Sequence, residues 1–458
     1  MFGVAIEQHE IILERSTYEV LQIPSTSLTD KNPLKGLSEM SNINDVKVLF
    51  APNSGAILLT FTRPCFNGTL TKINNKNMIG VCLKYQQRNY GSQLQARATI
   101  KILEDVGLDY RILQYNKKGI WFKIKNIYRV FNPIFLNDRI QDFYKSRSMS
   151  KHPQIVRRNK LFDNYSKKWF GEKTVSLDYY SDLQKYANSL DAVITCSDQL
   201  WSPAALGTNF YNLMFVPNKV RKISLASSFG VGQIPKYQIK ATKRYLERID
   251  YISMRENRGA EIVKELVGRE VPVLMDPVFA YTKEEWEEIV PPKQIYDFPY
   301  IFCYYLGNNI SHRKMAEEFA KEIGLKIVAL KYQDSYLSYD SIFGDICPFE
   351  VDSDDFLNII RGANYILTDS FHGCAFSVIC EKEFFVFNRY VSDSVISKNT
   401  RLDTLCENLG LQDRRIMGVV KLSNKLQSAI DYSKVKYVLS GYIKKTKDYI
   451  NNAFVGII

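Results

Sequence analysis

Residues 363–389, ANYILTDSFHGCAFSVICEKEFFVFNR, decide the fold. Tyr365, Ile366 and Leu367 form an apolar run, Ser370 and Gly373 make a turn, and Ala375, Phe376, Ile379 and Cys380 return at helical spacing before a second apolar run at Phe384–Phe387. The pattern predicts strand, turn, helix, strand. Open backbone N–H groups at such a helix start, with the positive end of its dipole, form a ready anion site. His372, one of four histidines in the chain, stands on that turn, where an imidazole can both touch an anion and move a proton. The plainer reading is a capped core turn whose histidine fills space.

Working outward, the same alternation extends in both directions. After the proline-bearing stretch from Pro291 to Pro299, strands are expected at Tyr300–Tyr305, Lys326–Leu330, Tyr365–Leu367 and Phe384–Phe387, with helices at Arg313–Ile323, Asp354–Arg361 and Gly373–Cys380. Before it, strands are expected at Ile79–Leu83, Tyr110–Gln114, Ala192–Cys196, Lys222–Ala226, Tyr251–Met254 and Val271–Met275. Helices are expected there from Asn89-Tyr90-Gly91 to about Glu104, at Lys236–Glu247 and at Asn257–Leu266. Alternation of this kind implies parallel sheets. The expected organisation is α/β: an extension over 1–77, a doubly wound Rossmann-like domain over 78–290, a second over 299–425, and a C-terminal helix within 426–458 that returns to the first domain. Ligands of such sheets sit beyond the carboxyl ends of the strands, which places the cleft between the two domains. The extension carries only strand-like pieces at Val46–Phe50 and Ala56–Thr60.

Composition narrows the class. The chain has 458 residues, 24% of them charged, and a formal charge of +12. No apolar run reaches the roughly 18 residues of a membrane span, and Glu7, Glu10, Glu14 and Arg15 stand where a signal peptide is apolar, so a cytoplasmic location is expected. Eight scattered cysteines without a C-x-x-C pair read as buried thiols, and no metal site is expected. Residues 111–173 hold sixteen Lys and Arg against four acids, the whole excess of the chain, interleaved with aromatic residues including Trp121, Phe122, Phe162, Tyr165, Trp169 and Phe170. Such a mixture suits an anionic membrane surface or a lipid-linked acceptor. It also describes solvated helices whose aromatic residues face a core. No nucleic-acid motif is present, and nucleic acid is not expected as a partner.

Polar residues recur at three strand ends: Ser197-Asp198-Gln199, Arg255-Glu256, and Asp369 to His372. Each alone is a serviceable helix cap. There is no G-x-G-x-x-G after a strand, no G-x-x-x-x-G-K-[ST], no H-E-x-x-H and no G-x-S-x-G, which argues against the corresponding nucleotide, zinc and hydrolase sites.

Several motifs in series resemble the polysaccharide pyruvyl transferase family: Asn89-Tyr90-Gly91-Ser92-x-Leu94-Gln95-Ala96, Cys196-Ser197-Asp198-Gln199-Leu200-Trp201-Ser202-Pro203 and Ala226-Ser227-Ser228-Phe229-Gly230. Further along come Ile252-Ser253-Met254-Arg255-Glu256, Asp276-Pro277, Thr368-Asp369-Ser370-Phe371-His372-Gly373, and Asn399-Thr400-Arg401-Leu402 ahead of Leu409-Gly410-Leu411. The resemblance runs from about Met78 to the C-terminus. Cys196 is a departure, since a glycine often precedes the Ser-Asp pair.

The resemblance implies a glycosyltransferase-B-like fold of two Rossmann-like domains facing across a cleft. It also implies transfer of the enolpyruvyl unit of phosphoenolpyruvate, a donor substrate with no separate cofactor, onto a saccharide as a ketal, in exopolysaccharide or cell-wall synthesis. The acceptor is expected to be lipid-linked and the protein peripheral at the inner face of the membrane. Position and resemblance together nominate His372 as acid or phosphate contact, Arg255 as an anion clamp and Asp198 as acceptor of the hydroxyl proton. Asn89, Gly91, Ser197, Gln199, Ser370, Gly373 and Arg401 are nominated as substrate-binding. The alternatives are a glycosyltransferase of the same architecture that uses a sugar nucleotide, and a non-catalytic membrane-associated binding protein.

Overall fold

The computed structural model describes residues 77–118, 152–203, 208–332, 337–389, 400–426 and 429–457, together with the backbone of five strands before them. The chain divides into two compact units, 1–76 and 77–458. In the first, β1 (Gly3–Glu7), β2 (Glu10–Glu14) and β3 (Tyr18–Gln22) form an antiparallel meander, and β4 (Val46–Phe50) pairs with β5 (Ile57–Phe61). The meander was not anticipated, because its strands each contain glutamate and hold only three apolar residues.

The second unit opens with β6 (Met78–Cys82), α1 (Tyr90–Asp105), β7 (Asp109–Tyr115), α2 (Pro153–Phe170), β8 (Thr174–Leu177), α3 (Tyr180–Ala187) and β9 (Ala192–Cys196). It continues with β10 (Arg221–Ser227), α4 (Ile239–Leu246), β11 (Tyr251–Met254), α5 (Asn257–Val267), a 3-10 turn at Pro277–Ala280 and α6 (Lys283–Ile289). All pairings in this sheet are parallel, in the order β11-β10-β9-β6-β7-β8. The two central strands, β6 and β9, are buried on both faces, which explains their apolar runs rather than alternation. The strand expected at Val271–Met275 is reduced to one bridge, Met254 with Val273. Pro272 brings no N–H to a ladder, and Asp276-Pro277 then turns the chain aside.

A second parallel sheet follows. Its elements are β12 (Tyr300–Tyr304), α7 (Ile310–Ile323), β13 (Lys326–Leu330), α8 (Ser353–Gly362), β14 (Tyr365–Thr368), α9 (Phe371–Ile379), β15 (Glu383–Phe387), α10 (Thr400–Leu409), β16 (Arg415–Ile416) and α11 (Tyr432–Ala453). The order is β13-β12-β14-β15-β16, again all parallel. In both sheets the chain winds one way and then returns to the middle to wind the other. The return falls between β6 and β9 in the first and between β12 and β14 in the second, and at such switch points the loops splay apart and leave a crevice.

α1 is buried along most of its length, including Gln93, Gln95, Arg97 and Thr99. Those polar side chains are tolerated because they are hydrogen-bonded, Gln95 and Thr99 to each other within α1 and Gln93 and Arg97 across to the second sheet's helices. Ser353 Oγ donates to Gln93 Oε1 at 2.6 Å, Arg97 Nη1 lies 2.7 Å from Asp354 Oδ1, and Tyr165 OH donates to the same carboxylate at 2.8 Å. α11 starts beside β15, where Tyr432 OH bonds Lys382 O, and ends on the first sheet, where Tyr449 OH donates to Ser224 O at 2.8 Å.

Candidate functional site

Both switch points put polar side chains at the same place. β9 ends at Cys196, and the next two residues adopt left-handed backbone, Ser197 at φ 39° and Asp198 at φ 55°. Non-glycine residues in that region cost about 1–3 kcal/mol each, strain that surrounding structure has to hold. Ser197 N donates to Leu225 O at 2.9 Å, which fixes the turn to the neighbouring strand. Its Oγ then donates to Asp276 Oδ2 at 2.6 Å. Asp198 is buried; it accepts from Ser92 Oγ at 3.3 Å and from Gln199 N at 2.8 Å, with Lys84 Nζ 4.0 Å away. Burial alone would raise its pKa, but Lys84, Arg255, His372 and Arg401 outweigh it and hold the carboxyl well below its ordinary range.

Arg255 follows β11 and is buried. Its Nη1 lies 2.6 Å from Asp276 Oδ2 and 3.2 Å from Ser197 Oγ, while Nε and Nη2 are buried without a hydrogen bond. Its guanidinium sits 4.7 Å over the Phe371 ring, and that of Arg401 lies 5.6 Å from the same ring. Two cations therefore lie against one aromatic ring. Asp276 heads the 3-10 turn, where Oδ1 accepts from Val278 N at 3.2 Å. Its burial would likewise raise its pKa, and His372, Arg255 and Ser197 together keep it low.

The β14–α9 turn supplies the remainder. Ser370 caps α9 by accepting from Gly373 N at 3.2 Å, and all of α9 is buried. Asp369 receives Leu306 N at 2.7 Å and Gly307 N at 2.9 Å, tying the ends of β12 and β14 together. Burial raises its pKa against those two N–H groups and Arg389. His372 Nε2 is 3.7 Å from Asp276 Oδ2 and has no hydrogen bond. The ring lies so close to α1 that a Cβ on Gly91 would be 2.2 Å from His372 Cβ.

Ser197, Asp198, Arg255, Arg401, His372 and Gly91 thus come to one place. The others nominated by sequence have local partners. Asn89 caps α1 by accepting from Ser92 N at 3.0 Å, and Ser370 caps α9. Gly373 lies against Thr368, where a Cβ would be 2.6 Å from Oγ1, and Gln199 packs on Gly230. Sequence reasoning missed Asp276, Ser92, Lys84 and Phe371 as parts of the site. Glu256, noted with Arg255 at a strand end but given no role, accepts from Ser228 Oγ at 2.9 Å and Phe229 N at 3.1 Å and so holds the loop after β10. Among the described residues, no group of His, Cys, Asp and Glu is arranged to hold a metal ion.

The described part of the basic aromatic region follows the second of its two readings, with aromatic residues turned to a core. Residues 119–151, with Trp121 and Phe122, lie outside the described residues. In α2, Phe162, Tyr165 and Phe170 are buried, and Trp169 lies 3.7 Å from the Arg97 guanidinium. Arg158 is also buried and donates to Lys331 O at 2.8 Å and Tyr332 O at 2.9 Å. Phe162, Tyr165 and Phe170 therefore belong to the core, because the amphipathic stripe carrying them packs on α1, whereas Trp169 is exposed. No helix among the described residues is long and apolar enough to cross a membrane.

A family model described as polysaccharide pyruvyl transferase matches residues 89–389. No curated protein matches the chain. Among solved structures, the chain is similar to UDP-GlcNAc 2-epimerase from Neisseria meningitidis bound to UDP-GlcNAc, at 12% identity and TM-score 0.44 over 83% of this chain and 100% of that one. It is similar to a UDP-GlcNAc 2-epimerase from Methanocaldococcus jannaschii, at 11% identity and TM-score 0.41 over 79% and 92%. It is also similar to an alpha-glucosyltransferase in complex with UDP, at 9% identity and TM-score 0.41 over 82% and 95%.

Proposed function

The chain belongs to the polysaccharide pyruvyl transferase family, and from that premise we propose that it transfers the enolpyruvyl unit of phosphoenolpyruvate to two hydroxyls of a lipid-linked saccharide at a membrane surface, forming a ketal and releasing phosphate. One observation carries the proposal for the donor. His372 Nε2 and Arg255 Nε and Nη2 are buried without hydrogen bonds, although buried polar groups are almost always satisfied, and they gather around a phenylalanine that two guanidinium groups approach. A small ligand with a carboxylate and a phosphate supplies acceptors for all of them.

The chemistry balances on these groups. His372, as imidazolium, gives a proton to the methylene carbon, which becomes the methyl group, and the positive charge falls on the adjacent carbon. The first hydroxyl oxygen bonds there and its proton returns to the imidazole. The C–O bond to phosphate then breaks, the second hydroxyl closes the ring, and its proton leaves on the phosphate. Arg255 and Arg401 bind the two anionic groups of the donor. Asp198, held as a carboxylate far below its ordinary range, is a poor base; its part is to orient an acceptor hydroxyl and to stabilise the cationic carbon.

Purified protein incubated with phosphoenolpyruvate and a lipid-linked oligosaccharide is expected to release one phosphate per ketal formed. Absence of phosphate with every acceptor offered, alongside consumption of a sugar nucleotide, would overturn the proposal in favour of glycosyl transfer.

A further inference from the structure

Three groups converge on a single oxygen, Oδ2 of Asp276: Ser197 Oγ at 2.6 Å, Arg255 Nη1 at 2.6 Å and His372 Nε2 at 3.7 Å. The other oxygen is engaged by Val278 N. A carboxylate oxygen has about two lone-pair sites, and the two short bonds occupy them. His372 is thus within the field of the carboxylate but outside its hydrogen bonds. The side chain of Asp276 is wholly buried, where a charge acts at low dielectric and is felt more strongly than in water.

We propose that Asp276 is a positioning residue that favours the cationic form of His372 while leaving its Nε2 proton free to transfer, and that fixes one arm of Arg255 so that Nε and Nη2 stay open for an anion. The division of labour follows from the lone pairs. Were Asp276 bonded directly to His372, the proton would be shared with the carboxylate and harder to deliver to carbon. With Ser197 and Arg255 filling the oxygen, the field remains and the proton is not held. The strained backbone at Ser197 has a purpose in this scheme, since it brings the hydroxyl to that oxygen.

The charged groups around His372 are Asp276 from the 3-10 turn, Asp198 from the end of β9, Arg255 from the end of β11, Arg401 from α10, and Lys84 through its pair with Asp198. Removal of Asp276's charge leaves one carboxylate, Asp198, where there were two, against three cations.

The inference rests on the pyruvyl-transfer proposal for its kinetics but not for its titration, so the two fail separately. With four histidines in the chain, the imidazole titrations can be followed by NMR and His372 assigned by its loss in His372→Gln. In Asp276→Asn, which keeps the size and the acceptor oxygen, the His372 signal is expected to titrate at lower pH than in the parent, because the facing negative charge is gone. At pH 7.5 kcat should fall by roughly 10–10³-fold and recover as the pH is lowered, while KM for phosphoenolpyruvate stays level or drops, because the site has become more positive. A purely structural role would instead lower kcat at every pH and raise KM. Ser197→Ala provides a second arm that works even if the Asn variant does not fold: it frees a lone pair for His372, so the midpoint should rise and kcat fall. An unmoved His372 midpoint in either folded variant overturns the proposal. Moved midpoints in a protein that releases no phosphate overturn the donor assignment and leave the role of Asp276 standing.

Discussion

His312 and His372 occupy nearly the same position in the fold and meet opposite fates. Each lies in the first turn of a helix, α7 after β12 and α9 after β14, and these strands are neighbours in one sheet. Each helix is capped by the side chain before it, Asn309 or Ser370, and each histidine is almost fully buried. His312 lies 3.1 Å through Nε2 from Asn309 Nδ2 and has its ring centroid 4.6 Å from that of Phe387; burial, helped by Arg313, pushes its pKa down to about 4. His372 instead meets Asp276, a carboxylate brought from the other sheet. Strand, turn and helix put a histidine at a helix start in both cases. A carboxylate from outside that unit is what separates the surroundings of the two.

The widest separation between the two is expected in turnover. His372→Ala should reduce phosphate release by about 10²–10⁴-fold, the range for loss of a placed proton donor, whereas His312→Leu should leave kcat at pH 7.5 within a few-fold of the parent. Rates for both variants, alongside their unfolding midpoints, test this. Equal losses would mean that the carboxylate is not what distinguishes them.

The next largest difference is in stability against pH. In the unfolded chain His312 titrates near 6.5, but in the fold only near 4. Above pH 6.5 both states are neutral and the residue contributes no slope. As the pH falls from about 6.5 to 4 the unfolded chain gains a proton that the fold refuses, so stability drops by up to about 3 kcal/mol from this one residue. The low pKa values of Asp198 and Asp276 act elsewhere: their contribution is complete above the unfolded carboxylate range near 4 and is lost only as the pH falls further. Urea unfolding at a series of pH values should therefore show a flatter curve between pH 6.5 and 4 for His312→Leu. Parallel curves for parent and variant would refute the account of a neutral buried imidazole.

The split between the two histidines also marks how far the sequence could be read. Apolar runs, Ser370 and Gly373 were enough for the β14–α9 unit, and Arg255 and Ser197 stood out because they follow runs that end as strands. Asp276 entered only within the Asp276-Pro277 motif, without a role. An Asp before Pro reads as an ordinary cap for a turn, which it is through Oδ1, and nothing local shows that Oδ2 reaches two residues from other strand ends. Val271–Met275 looked like a strand because its side chains are apolar, while the missing N–H of Pro272 allowed only a bridge. In α2, composition gave the charges but not their direction: Arg158 is turned inward onto two carbonyls, and the period of the helix places Phe162 and Tyr165 on the same buried side. Long-range partners decide these cases, and local pattern does not carry them.

The smallest effect expected is at Gly91, and it tests the packing that fixes His372 rather than its charge. A Cβ there would lie 2.2 Å from both Cβ and Cγ of His372 and 2.5 Å from Nδ1. Neither side can give easily, because His372 Cβ belongs to the buried helix α9, and α1 is held by the Gln93–Ser353 and Arg97–Asp354 contacts. Gly91→Ala should therefore cost about 1–3 kcal/mol of stability, as overpacking of a dense core does, and should lower kcat through displacement of the ring. Gly441→Ala is the matched control: it sits in α11 with nothing within 4 Å, and there alanine should be neutral or stabilising by up to about 1 kcal/mol. Unfolding midpoints and phosphate release for the pair measure the difference. If Gly91→Ala behaves like Gly441→Ala, the close approach of α1 is not what sets the ring, and the contacts of Asp276 must position it without that support.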